Sequence, residues 1–266
     1  MKKAVKKAKS GKAAPEIARD ISKMKEKKTS QVSARTVERR LKEQGLRYLV
    51  IQEREELTPD QIQKRLAYAK ARNFFDWKPV LFSDEKSFWL GSGEHKQWQE
   101  HRITRKVRKH PPKLHVWGAV GHYFKTQLYF FHENLKAKLY QKILNARLPP
   151  NYSVDCPAGI RGGWLLQQDN DPKHTAITTK ALLDEIAPDR IRDHPPNSPD
   201  LNPMEDIWSY LDGEIKKRRI RSIAGLQRAL TKAWSELPWR YVRKSTESMA
   251  ARLREVIALG GERTQY

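Results

Sequence analysis

A mixed α/β domain behind a small all-helical module is the fold class this 266-residue sequence predicts. Three patterns predict it. Residues 78–132 are dominated by short runs rich in Val, Leu, Phe and Trp, the composition of strands. Residues 135–193 alternate helical and strand-like stretches, which implies that the later part of the sheet is parallel. Residues 13–47 instead carry two short helical periodicities separated by a polar, lysine-rich turn.

Taken in order, residues 1–12 hold almost nothing to bury and read as a disordered basic arm. Ile17, Ile21 and Met24 then share one helical face, and Lys27-Lys28-Thr29-Ser30-Gln31 reads as a turn. A second helix opens at Ser33 as N-cap, buries Val37 and Leu41, and stops at Gly45. This is the outline of a helix-turn-helix, which would bring Arg35, Thr36, Arg39 and Arg40 nearest to base edges or phosphates. An ordinary helical hairpin with a solvated basic face has the same periodicity. Thr58-Pro59-Asp60-Gln61 combines a capping residue, proline at the first helical position and a glutamine able to close a capping box. The helix it starts runs to about Asn73 and reads as the connective part of a linker over 48–77.

From residue 78 the chain is read as one domain. Residues 78–90, 95–99, 113–122 and 126–132 have strand patterning and predict antiparallel meanders. A helix over 135–148, a buried strand over 163–168, a helix over 175–186 and a short strand over 190–193 follow. Met204, Ile207, Trp208, Leu211 and Ile215 form an apolar helical stripe, and 223–258 continues helically with a break near Pro238.

Composition limits the partners. A formal net charge of +22 and a pI near 10.0 exceed what solubility requires and point to a polyanion, nucleic acid first. Residues 1–50 alone hold 16 Lys and Arg against 5 Asp and Glu, half of that excess. No apolar run approaches the ~20 residues of a spanning helix, and the lysine-rich start lacks an apolar signal core, so no membrane association is expected. A lone cysteine, Cys156, excludes an internal disulfide or a Cys-rich zinc site and fits a reducing compartment. The run Lys216-Lys217-Arg218-Arg219 serves either as a solvated helix end, favourable to the dipole, or as a contact to a DNA backbone.

Three acids end three separate hydrophobic runs: Asp84, Asp169 and Glu205. Acids fixed to element ends can converge although distant in sequence, and closely placed carboxylates repel unless cations lie between them. Two divalent metals about 3.5 to 4 Å apart can activate an oxygen nucleophile and stabilise the leaving oxygen of an in-line displacement on a phosphodiester. Each acid also has a plain structural use. Asp84 could simply end a strand; Asp169-Asn170-Asp171-Pro172 is strong turn chemistry; Glu205 could close a capping box if Asn202 is the N-cap.

The segments Phe82-Ser83-Asp84-Glu85, Gln167-Gln168-Asp169-Asn170-Asp171-Pro172-Lys173-His174 and Asn197-Ser198-Pro199-Asp200-Leu201-Asn202-Pro203-Met204-Glu205-Asp206-Ile207-Trp208 resemble the three signature blocks of Tc/mariner transposases. His115-Val116-Trp117-Gly118 and the tail Gly260-Gly261-Glu262-Arg263-Thr264-Gln265-Tyr266 extend the resemblance from about Ser30 to the C-terminus. It implies a DDE catalytic domain of ribonuclease H-like fold, with Asp84, Asp169 and Glu205 as catalytic acids holding two Mg²⁺ ions, Mn²⁺ being able to substitute. Glutamate at the third position sides with the Tc branch, and the gap from Asp169 to Glu205 is one residue longer than that branch's commonest. The resemblance further implies binding to terminal inverted repeats in double-stranded DNA, hydrolytic cleavage, joining of 3′ ends to a TA target by transesterification, and a homodimer that pairs two element ends. It also implies that the first of the family's two helix-turn-helix modules is absent. Two other classes of protein stay open beside it: a catalytically silent, transposon-derived DNA-binding protein, and a generic nuclease of the same fold. The basic clusters over 2–9 and 216–219 suit nuclear import.

Overall fold

The computed structural model describes residues 16–17, 33–45, 55–91, 111–149 and 163–266. It divides into two compact units, Met1–Glu56 and Leu57–Tyr266. In the first, helix α1 (Ala34–Glu43) starts where expected, because the Ser33 hydroxyl accepts from the Thr36 N–H at 3.1 Å. Val37 is buried, and Gly45 follows in the left-handed region at φ 73°, the conformation that favours glycine after a helix. The expected arm over 1–12, most of the first helix with the turn after it, and the expected strand over 95–99 lie outside the described residues.

The second unit opens with α2 (Pro59–Ala71). Its capping box is closed: Gln61 N–H donates to Thr58 Oγ1, and Thr58 N–H donates to the Gln61 side chain. The helix does more than connect. Arg65, Tyr68 and Ala69 are buried, and α2 packs on the C-terminal helix of the same unit.

The four strands are β1 (Val80–Trp89), β2 (Lys113–Gly121), β3 (Tyr129–Phe131) and β4 (Leu165–Gln167), in the order β3-β2-β1-β4. β1 pairs antiparallel with β2, setting Asp84 opposite Gly118, and parallel with β4, setting Phe82 opposite Gln167. The meander is thus as expected, and so is the parallel turn of the later sheet. The short strand expected over 190–193 shrinks to a single parallel bridge from Leu166 to Arg190, since β4 offers only three residues to pair with.

Strand alternation divides the core in two. Val80, Phe82, Phe88, Leu114, Val116 and Val120 point to one face, and Leu81, Trp117, Ala119 and Leu166 to the other. The second face is covered by α3 (Ala137–Arg147) and α5 (Ile177–Ile186), through Tyr140, Ile143, Leu144 and Leu183. Between β4 and α5 lies the one-turn helix α4 (Pro172–Thr175), split from α5 at Ala176, so the expected helix over 175–186 begins two residues late. The first face is covered by α6 (Met204–Lys216), α7 (Ile223–Ser235), α8 (Trp239–Glu247) and α9 (Met249–Ala258). Pro238 starts α8, as the expected break requires, and a second break falls at Ser248. A sheet with helices on both faces buries both of its apolar sides. No helix among the described residues is long and apolar enough to cross a membrane.

Candidate active site

Each of the three acids follows residues that hydrogen-bond to the lead-in of another. Ser83 Oγ donates to the Gln167 carbonyl at 3.3 Å, Gln167 Nε2 donates to the Leu201 carbonyl at 3.0 Å, and Asn202 Nδ2 donates to the Ser83 carbonyl at 3.3 Å. This closed ring ties β1, β4 and the loop before α6 together just beneath Asp84, Asp169 and Glu205. Buried polar groups form such rings because an unmade hydrogen bond there costs about 1–3 kcal/mol. The acids accordingly line one cleft of about 370 Å³, shared with Asn170, Asp171, Asn202 and the stretch from His194 to Pro199.

Asp84 Oδ2 accepts from the indole N–H of Trp208 at 2.9 Å. Trp208 is wholly buried and needs the space opposite Asp84. A Cβ added to Gly118 would lie 2.9 Å from Leu128 and 3.3 Å from both Trp208 and Trp234. Burial, then the neighbouring charges of Glu85 and Glu205, push the Asp84 carboxyl up to about 8. Burial also raises Glu205, with Lys86 partly opposing it. For Asp169 burial acts upward too, but the hydrogen bond and charge of His174 outweigh it and hold the carboxyl down at about 2. His174 shows the reverse balance: burial alone would lower it, whereas its bonds to Asp169 and Glu85 raise it to about 9.

The plain structural uses of these acids can now be weighed. Asn202 Oδ1 accepts the Met204 N–H at 3.1 Å, so the start of α6 is served by Asn202, and no capping box involves Glu205. Asp169 does make the turn bond that its sequence suggests, from the Asp171 N–H at 3.0 Å. It faces the cleft all the same.

The donor set suits a hard divalent cation, being all carboxylate. Burial is the main cause of the raised Asp84 carboxyl, and the charges of Glu85 and Glu205 add to it; a cation would relieve that second, smaller part. Among the described residues no three His, Cys, Asp or Glu side chains already form a compact ligand cluster. One oxygen of Asp169 is instead engaged by His174 at 2.6 Å.

Sequence reasoning missed several residues that hold the site. Arg65 is fully buried and donates to both oxygens of Asp200 at 2.8 and 2.6 Å, to Ser198 Oγ, and to the carbonyl of Gly261. Thr264 N–H and Oγ1 both donate to Asp200 at 3.0 Å, so the C-terminal tail clasps the loop that leads to Glu205. Arg252 joins the Asp200 carbonyl to the Asp206 carboxylate on the other flank of Glu205. The signal was present in the acid-rich third block and the glycine-bearing tail, but the partners lie far apart in the chain. Of the expected DNA contacts, Arg35, Thr36, Arg39 and Arg40 are exposed on α1, and Arg39 and Arg40 pair with Glu43. Lys216, Lys217 and Arg219 are exposed at the end of α6, with Arg218 partly covered; Lys217 pairs with Glu214. The group at the end of α6 does not line the cleft.

The chain resembles solved Mos1 transposase structures in fold. A pre-cleavage Mos1 transpososome superposes with a TM-score of 0.70 at 16% identity, covering 96% of this chain and 76% of that one. A Mos1 mariner paired-end complex with Mn gives 0.67 at 16% identity, over 94% and 75%. At such low identity these likenesses speak for the fold alone, a ribonuclease H-like one. The family model described as "DDE superfamily endonuclease" matches residues 79–227, and a helix-turn-helix model described as "Transposase" matches residues 5–73. The chain belongs to the DDE superfamily endonucleases, in the Tc/mariner group of transposases. It is 28% identical over 225 residues to the Tc3 transposase of Caenorhabditis elegans, a match covering 79% of this chain and 65% of that protein. With the Tc1 transposase of the same animal it shares 26% over 246 residues, 88% of each.

Proposed function

We propose that the chain is a metal-dependent DNA transposase whose cleft cuts phosphodiesters and then joins the freed 3′ ends to target DNA. The observation that carries this reading is the ring of Ser83, Gln167 and Asn202, which brings the lead-ins of all three acids onto one cleft. Asp84, Asp169 and Glu205 would hold a pair of Mg²⁺ or Mn²⁺ ions. When bound, these supply an activated oxygen nucleophile and charge stabilisation for the leaving oxygen. Solved Mos1 complexes described with Mn and with Mg support that choice of cation.

The residues of the chain contribute placement. Trp208 fixes one oxygen of Asp84, and the Asp200 clasp sets the start of α6 and with it Glu205. A water in cleavage and a 3′ hydroxyl in joining can use the same acids, so no covalent protein intermediate is needed. The basic side chains on α1 and at the end of α6 are the proposed contacts to double-stranded DNA. Terminal inverted repeats and a TA target, a dimer pairing two ends, and a nuclear site of action complete the reading. The Mos1 paired-end complexes support its DNA and pairing parts.

The test is cleavage of a labelled duplex, and transfer of a 3′-OH oligonucleotide, with Mg²⁺ or Mn²⁺. Asp84→Asn is expected to abolish both reactions while DNA affinity stays within about twofold, an arm that also checks against a silent DNA-binding protein. Cleavage without strand transfer by the wild type would favour a nuclease. Equal cleavage by the variant would reject the site.

A further inference from the structure

Glu85 and His174 sit among the acids, yet neither lines the cleft. The His174 side chain is 3% exposed; its Nδ1 donates to the Asp169 carbonyl at 3.2 Å and lies 2.6 Å from Asp169 Oδ1, and its Nε2 is 3.2 Å from Glu85 Oε1. Its ring lies against Tyr140, 4.3 Å between centroids, and the Tyr140 hydroxyl donates to Gln168 Oε1 at 2.6 Å, one residue before Asp169. Lys173 closes the other side, at 3.4 Å from Glu85 Oε2 and 2.8 Å from Asp171 Oδ2.

Asp169 needs such help. It is exposed, it follows a strand of three residues, and its own turn offers only a local bond from the Asp171 N–H. The imidazole is what ties the Asp169 carboxylate itself to β1. The geometry points to the Glu85–His174 pair as a positioning device for Asp169: it occupies Oδ1, fixes the carboxylate rotamer and leaves Oδ2 as the oxygen available to a divalent cation. Because Glu85 follows Asp84 on β1, the same bridge sets Asp169 in register with Asp84. Groups that orient metal-binding carboxylates in this way typically change metal affinity about 10- to 100-fold when removed. The inference rests on the reading of Asp84, Asp169 and Glu205 as cation-holding acids.

Calorimetric titration of Mn²⁺ into the full-length, metal-free protein tests it, using two replacements that remove the same ring. In His174→Asn the amide N–H takes the place of Nδ1–H and still donates to Asp169; in His174→Gln the amide reaches toward Glu85 instead. The expected result is an Mn²⁺ affinity about 10- to 100-fold weaker in His174→Gln and a smaller loss in His174→Asn, which keeps the contact to Asp169 and gives up the one to Glu85. Equal affinity in all three proteins would overturn the proposal, and so would equal weakening in both variants, which is the behaviour of a ring that only packs against Tyr140. Metal-free melting curves show whether each variant folds. If His174→Gln does not, Glu85→Ala carries the test: releasing the far side of the ring is expected to weaken Mn²⁺ binding, and unchanged affinity would overturn the inference. Should the wild type take up no Mn²⁺, or Asp84→Asn bind it equally well, the reading of the acids fails and this inference with it.

Discussion

Trp208 shows how much one side chain can carry. Its ring is buried between the sheet and Trp234, and its indole N–H is the hydrogen-bond partner of the acid on β1. Trp208→Phe keeps most of the apolar packing and removes the donor, so stability should fall by about 1–3 kcal/mol. Urea denaturation measures that fall, and metal-dependent cleavage should decline with it while DNA affinity holds. Asp200 makes a second case, in the clasp rather than the cleft. Burial acts to raise its carboxyl, but Arg65 and Thr264 outweigh burial and hold it below the usual range. A group whose folded-state value lies below its unfolded one stabilises the protein fully above the unfolded value, near 4, and loses that contribution as pH falls through the folded one. Asp200→Asn leaves Arg65 buried without its counter-charge, so the variant should be about 3–5 kcal/mol less stable at neutral pH. Denaturation series from pH 6 to pH 2 should also show a flatter acid limb in the variant than in the wild type.

At the scale of elements, the tail after α9 acts as a strap. Gly261 has φ 103°, and a Cβ there would meet the carbonyl oxygen of Ile62 on α2 at 2.3 Å. No side chain can be added without moving α2 or the tail. Gly261→Ala should therefore lower the melting temperature by several degrees, checked by calorimetry, and cleavage should weaken because Arg65, Asp200 and Thr264 lose their alignment. Elements were legible in the sequence wherever local chemistry decides them. The capping box of α2, the Ser33 cap, the long apolar run of β1 and the break at Pro238 each depend on neighbours within a few residues. Non-local pairing decides the rest. The run over 190–193 has strand composition but meets a β4 too short to extend it. The helix expected to be connective is held by Arg65 to residues well over a hundred positions away. The three acids could be singled out because they end hydrophobic runs and resemble a family's blocks, whereas nothing local marks His174 as the partner of Glu85, 89 positions earlier.

For the molecule as a whole, charge is the dominant property. A net charge of +22 predicts duplex affinity that falls steeply with salt. Replacing Lys216, Lys217, Arg218 and Arg219 by alanine should flatten the slope of log affinity against log salt by about 1 for every phosphate that these side chains neutralise. Filter binding at several salt concentrations reads this, and an unchanged slope would remove the end of α6 from the DNA interface. Cation binding has a global signature as well. A ligand that binds only the folded state raises its stability, so Mn²⁺ should raise the melting temperature of the wild type and leave Asp84→Asn unmoved.

The convergence of Asp84, Asp169 and Glu205 on shared divalent cations is tested most directly by anomalous scattering at the manganese edge from crystals grown with Mn²⁺. The expected result is anomalous density within coordination distance of all three carboxylates, on the cleft side of Asp169 Oδ2. Manganese bound elsewhere, or held by one acid while the other two stay apart, would contradict it.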